Sequence, residues 1–171
     1  MRKEYGKALR SLFGQKILKT LPEFSPVKVS GIYFIPGNRA FEKKLTNGES
    51  HWINLNIDPK FERFTVEIGW SALGRWPELS MCPSPIRPDH NIEFAEQEYI
   101  TRLPFLWTTD DYWFEIEAFN PNGDLESLMR QMAPIDSDKA NERVEPIVEE
   151  CVATIVEYAN PYFEERTKRN A

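Results

Sequence analysis

The chain has 171 residues, of which 41% are hydrophobic and 28% charged, with a formal net charge of -6 at pH 7. That length closes a core without metal or disulfide support, and that composition excludes wholesale disorder. The two cysteines, Cys82 and Cys151, lie in unlike contexts and do not make a disulfide framework, and no 18-residue apolar stretch is present to span a membrane.

With no apolar run after Met1, the cytoplasm is the expected compartment. Residues 3–21 place Tyr5, Ala8, Leu9, Leu12, Phe13 and Ile17 at helical spacing, with Lys7, Arg10 and Lys19 on the other side. Gly6 and Gly14 each cost roughly 1 kcal/mol relative to alanine, so packing of the stripe must hold this helix. Pro22 stops it. Strands are predicted over 28–35 and 39–45, separated by the turn Pro36-Gly37-Asn38, and Asn47-Gly48 suits a tight hairpin.

Residues 51–72 carry the strongest pattern. Ile53, Leu55 and Ile57, then Phe64, Val66, Ile68 and Trp70, repeat with period two on either side of Asp58-Pro59-Lys60. The opposite faces hold Trp52, Asn54 and Asn56, then Arg63, Thr65, Glu67 and Gly69. One face reads as core and the other as wet or covered by a partner. His51 reads as a half-buried edge residue.

Pro77, Pro83, Pro85 and Pro88 fall in 71–91, an aperiodic stretch expected to follow one defined path rather than to flap. Residues 92–102 mix both periods and are read as a short helix ended by Pro104. Tyr112, Phe114 and Ile116 alternate as a fifth strand, and 120–124 turn the chain. Helical turns are predicted over 125–132. A last helix begins near Ser137 or Asp138, or else at Pro146, and buries Val144, Ile147, Val148, Cys151, Val152, Ile155, Val156 and Ala159. Asn160-Pro161 ends it, and Tyr162 and Phe163 pack back.

The predicted fold is α+β, one domain over 1–171. An antiparallel meander of about five strands is packed on one face by the N- and C-terminal helices, with a long Pro-rich loop at 71–91.

Charge is unevenly spread. Residues 1–60 carry a net +6, whereas 110–165 carry fifteen acidic against three basic residues, a net of -12. The acidic third repels a nucleic-acid backbone and suits a basic protein partner, although solubility alone explains it as simply. No membrane association is expected.

Chemistry has few candidates. His51 and His90 lack neighbours at metal-ligand spacing, and dinucleotide, P-loop, nucleophile-elbow and zinc-protease motifs are absent. Cys82 with His90 lacks an orienting group. Asp111, Glu115 and Glu117 share a strand face that a divalent cation would suit, but an exposed acidic face accounts for them equally. No catalytic residue, metal or cofactor is therefore predicted. The binding candidates are Trp52, Trp113 and Glu115, which project opposite the core sets, Trp70, Arg75 and Trp76, which crowd the corner beside the loop, and Asp111. Core and surface placements of the tryptophans both remain open at this point.

Phe24, Phe34, Phe41 with Lys43, Asn54 with Asn56, and the run Phe64-Thr65-Val66-Glu67-Ile68-Gly69-Trp70 form a series of short motifs. Together with Trp113 and a stripe ending in Tyr162-Phe163, the series resembles the bacterial domain-of-unknown-function family numbered 4304. The resemblance covers the first two-thirds and the last helix, and the loop at 71–91 is longer than the family pattern. It implies an α+β fold without established enzymatic activity. Some relatives are regarded as immunity proteins beside polymorphic toxins, which implies a basic toxin domain as partner. No catalytic residues come with it.

Three readings result. The first is a cytoplasmic protein-binding protein of the immunity type. The second is a small-molecule binder or enzyme with a pocket between sheet and loop, lined by Trp70, Arg75, Trp76 and Trp113. The third is a homodimer formed through an exposed sheet face.

Overall fold

A computed structural model describes residues 1–29, 38–77, 97–118, 120, 122–126, 129 and 133–169. Helix α1 (Lys3–Thr20) leads into strands β1 (Ser25–Val27), β2 (Arg39–Lys44), β3 (Ser50–Ile57), β4 (Arg63–Ser71), β5 (Glu98–Arg102) and β6 (Phe114–Glu115). Helix α2 (Ser137–Thr154), a π-helical turn (Ile155–Ala159) and helix α3 (Asn160–Arg169) complete the described chain. The sheet is antiparallel, in the order β1-β2-β3-β4-β5, with β6 also on β4. This is the predicted α+β architecture, with helices from both ends of the chain over one sheet face.

The central pair aligns its two apolar sets, Ile53 opposite Ile68, Leu55 opposite Val66 and Ile57 opposite Phe64. Its turn is held by Asp58, whose Oδ1 accepts from the backbone N–H of Lys60 at 2.8 Å and of Phe61 at 3.1 Å. On the same face Phe41 of β2 lies opposite Ile53. Tyr5, Leu9, Phe13 and Ile17 of α1 join Val144, Val148 and Cys151 of α2 in one core with these strand residues. Cys151 is buried there, and Cys82 lies outside the described residues.

The β2–β3 hairpin turns at Asn47-Gly48 as expected. Asn47 Oδ1 accepts from the Glu49 N–H at 3.0 Å, and Gly48 takes a φ of +88°. A Cβ at Gly48 would meet nothing within 4 Å. Gly48→Ala is therefore expected to cost about 1 kcal/mol through backbone strain alone, read as a lower urea midpoint with an unchanged slope.

The structure corrects several sequence-based expectations and leaves others untested. Most of the strand predicted over 28–35, and the residues predicted as helical over 125–132, fall largely outside the described residues. The first described strand lies earlier, at Ser25–Val27, where Pro26 opposes Phe41 on the sheet edge that a residue without an N–H tolerates. Of the helix predicted over 92–102, the described end, Glu98–Arg102, is instead β5, laid along Glu67–Ser71. Ile100 and Thr101 are both buried, so the strand-like alternation of Tyr99, Thr101 and Leu103 was not a polar–apolar one and did not outweigh the helical spacing. The strand predicted around Tyr112–Ile116 shortens to Phe114–Glu115, which pair with Phe64 and Arg63 at the end of β4 away from β5.

Helix α2 begins with Asp136 as its cap, accepting from the Lys139 N–H at 2.9 Å, one residue before the predicted candidates. It runs through Pro146, which is exposed, while the buried stripe on the opposite side holds the helix despite one missing hydrogen bond. Asn160-Pro161 does not end it either. The Asn160 N–H reaches back to the Ile155 carbonyl, and this widened turn accommodates the proline before α3 continues. Past that turn Phe163 enters the core, whereas Val156, which a uniform helical period places on the stripe, is 38% exposed.

The second sheet face is not wet. Trp52, Asn54, Thr65 and Ser71 are all buried within the chain. On it the paired asparagines clamp one carboxylate: Asn54 Nδ2 donates to Glu67 Oε2 at 2.7 Å and Asn56 Nδ2 to Glu67 Oε1 at 3.0 Å.

Candidate functional site

The short β6 and the residues just before it sit where the turn end of β4 meets α2. Arg63 opens β4, with Nε donating to Asp58 Oδ2 at 2.8 Å. Burial alone would raise the Asp58 carboxyl, but the Lys60 N–H, Arg63 and the Phe61 N–H outweigh it and hold the group below 3.8. The guanidinium carbons of Arg63 and Arg102 lie 4.6 and 4.9 Å from the centre of the Trp113 ring. Trp113 donates its indole N–H to Asp111 Oδ2 at 3.1 Å, and Arg102 pairs with the other oxygen of Asp111.

Behind them Phe114 stacks on Phe64 in the core, 5.4 Å between centroids, and presents its edge to Tyr112. Tyr112 is 43% exposed and donates to Glu150 Oε1 of α2 at 3.3 Å. Burial and then the charge of Glu150 push its phenol above the ordinary value, so it remains a donor. Between β6 and α2 opens a cleft of about 400 Å³, whose walls include Tyr112, Trp113, Glu115, Ile147 and Glu150.

The seven sequence-predicted binding residues divide among three places. Asp111, Trp113 and Glu115 meet at this cleft. Trp52 is buried on the second sheet face, with Trp76 edge-on to it at 5.4 Å, and Arg75 pairs with Glu98 at 2.9 Å. Trp70 is buried on the core face, where it donates to the Tyr162 hydroxyl at 3.1 Å under the Arg166 guanidinium. The four residues expected to line one pocket, Trp70, Arg75, Trp76 and Trp113, therefore do not converge. Arg63, Arg102, Tyr112 and Glu150 were missed. Arg102 lay in the misread helix, and Glu150 sits at the border of the α2 stripe.

Two further clusters hold charge. Arg2, Tyr5 and Arg143 converge on Glu117, with Tyr5 at 2.8 Å and Arg143 at 2.9 Å, and Arg2 also pairs with Glu62 at 2.9 Å. This ties the start of α1 to α2 and to the end of β6. Its charges satisfy one another.

The other cluster surrounds His51, which is 1% exposed rather than half-buried, because its strand face is the core face. Its Nε2 lies 3.2 Å from Glu49 Oε1, and its ring stacks on Phe163 at 4.5 Å. Burial pushes the imidazole below 6.5 against the opposing pull of Glu49. Sealed from solvent, it has no access to a substrate. Among the described residues no three His, Cys, Asp or Glu side chains gather as a metal would require.

These shifts carry a pH dependence. His51, Asp58 and Glu117 all have folded-state pKa values below their ordinary 6.5, 3.8 and 4.5. The unfolded chain thus binds protons more tightly at each. Stability is complete above 6.5, falls first as pH drops through the lowered His51 value, and falls again through the lowered carboxylate values. Urea midpoints between about pH 8 and 3 are expected to show both declines, and His51→Gln is expected to abolish the first alone.

The chain is thus an α+β domain built on one antiparallel sheet, with an aromatic and acidic cleft at its β6 edge. No family model, curated protein or solved structure matches it. Among the described residues no helix is long and apolar enough to cross a membrane.

Proposed function

We propose that the protein is a non-enzymatic cytoplasmic binding domain that engages a basic protein, as some relatives of the family its sequence resembles are regarded as doing. The net charge of -12 over 110–165 carries this reading, since that surface attracts a cationic partner and speeds its approach. The cleft supports it by adding exposed aromatic surface to carboxylates, the composition typical of an energetic centre.

Co-expression of the tagged full chain with the product of the adjacent gene tests the proposal. A complex that co-purifies and loosens as salt rises is the expected result. If repeated pull-downs from the source cell capture no protein, and the purified chain instead turns over a small molecule, the proposal is wrong.

A further inference from the structure

The cleft between β6 and α2 carries more negative than positive charge, with Asp111, Glu115 and Glu150 in its lining against one cation, Arg63. Among the described residues, Glu115 and Glu150 line it without an ion pair to any Lys or Arg within 4.0 Å. The cations around them are committed elsewhere. Arg63 is held by Asp58 at 2.8 Å, Arg102 by Asp111, Arg143 by Glu117, and Lys16 by Glu145 and Glu149. The half-exposed ring of Tyr112 lines the same cleft and donates to Glu150 at 3.3 Å, and the Trp113 ring already accepts two guanidinium groups at under 5 Å.

We infer that this cleft receives an arginine side chain of the basic partner, stacked on Tyr112 and paired with Glu115 and Glu150. The inference rests on the protein-binding reading and names the surface that reading uses. Arginine suits it better than lysine, because a planar fork can face two carboxylates while its flat side lies on an aromatic ring. About 400 Å³ also exceeds what one side chain fills, leaving room for the flanking backbone of the partner.

The test uses the full chain labelled with nitrogen-15 and titrated with N-acetyl-arginine amide, with the uncharged N-acetyl-citrulline amide as its isostere. Saturable shifts at Tyr112, Glu115 and the Trp113 indole are expected with arginine and not with citrulline. The Glu115→Gln/Glu150→Gln double variant is expected to weaken the arginine response about tenfold. Glu142→Gln/Glu164→Gln, which removes the same charge elsewhere on exposed positions, is expected to leave it nearly unchanged. Equal losses in the two double variants, or shifts centred on other residues, would overturn the inference.

Co-purification separates the two proposals. A captured partner that binds the Glu115→Gln/Glu150→Gln variant undiminished sinks the cleft and spares the protein-binding reading. Saturation by arginine amide with no partner ever captured does the reverse.

Discussion

Replacing Gly69 by alanine is expected to break the β4–β5 pairing and to be among the most damaging single substitutions in the sheet. A Cβ at Gly69 would stand 2.3 Å from the Tyr99 carbonyl oxygen and 3.2 Å from Ile100 Cα. Both are backbone atoms of the neighbouring strand, so no side chain can swing aside. The conflict is purely steric, because Gly69 does not have a positive φ. Overpacking of this kind costs about 1–3 kcal/mol, and more where backbone must move. The loss should spread beyond the contact itself, since β5 carries Arg102, which holds Asp111 and lies over Trp113. A lower denaturation midpoint, faster amide exchange in β5 and a displaced Trp113 indole resonance are the expected readings. An alanine variant as stable as the parent would show that β5 does not lie where Gly69 places it.

The sheet centre was legible because one physical signal dominated it. Ile53, Leu55 and Ile57 and their partners Phe64, Val66 and Ile68 alternate with polar residues, and Asp58 and Gly48 mark the turns by chemistry that leaves little choice. Legibility failed where that signal was doubled or interrupted. Burial on both faces blurred the alternation in Glu98–Arg102, so the helical spacing competed with it on equal terms. The opposite error came from Pro146, which sequence rules offer as a helix start, and from Pro161, which they treat as a stop. Buried packing carries the helix through the first, and the π-helical turn carries it past the second.

The cleft was half legible. Asp111, Trp113 and Glu115 announce themselves by residue type on a short strand. Their neighbours Arg63, Arg102 and Glu150 come from three other elements, and only the strand register and the seating of α2 bring them together. His51 shows the same limit from the other side. Its strand alternates correctly, but nothing local foretells that α3 continues far enough to lay Phe163 against its ring.

That continuation of the chain leads to the second large effect. Glu49 is 3% exposed and its two oxygens serve different partners, His51 Nε2 at 3.2 Å and Arg166 Nη2 at 3.3 Å. Arg166 in turn lies over Trp70, 3.4 Å from its ring centre, and Trp70 is bonded to Tyr162. Glu49→Ala strands the guanidinium in this partly buried place, and removing one member of such a pair costs roughly 3–5 kcal/mol. The side chain of Arg166 retains 21% exposure, so water recovers part of that and the low end is expected. Loosening should begin at α3, visible as a change in near-ultraviolet dichroism of Trp70 before global unfolding. Adding Arg166→Met to Glu49→Ala is expected to cost less than the two single changes summed, whereas strict additivity would mean that the pair contributes nothing. Glu49→Gln keeps the shape and discards the charge. Burial and the charges of Lys43 and Arg166 then act on His51 without the carboxylate that opposed them, so the upper pH step must move to lower pH in this variant. A step that stayed in place would separate Glu49 from His51, whatever their distance.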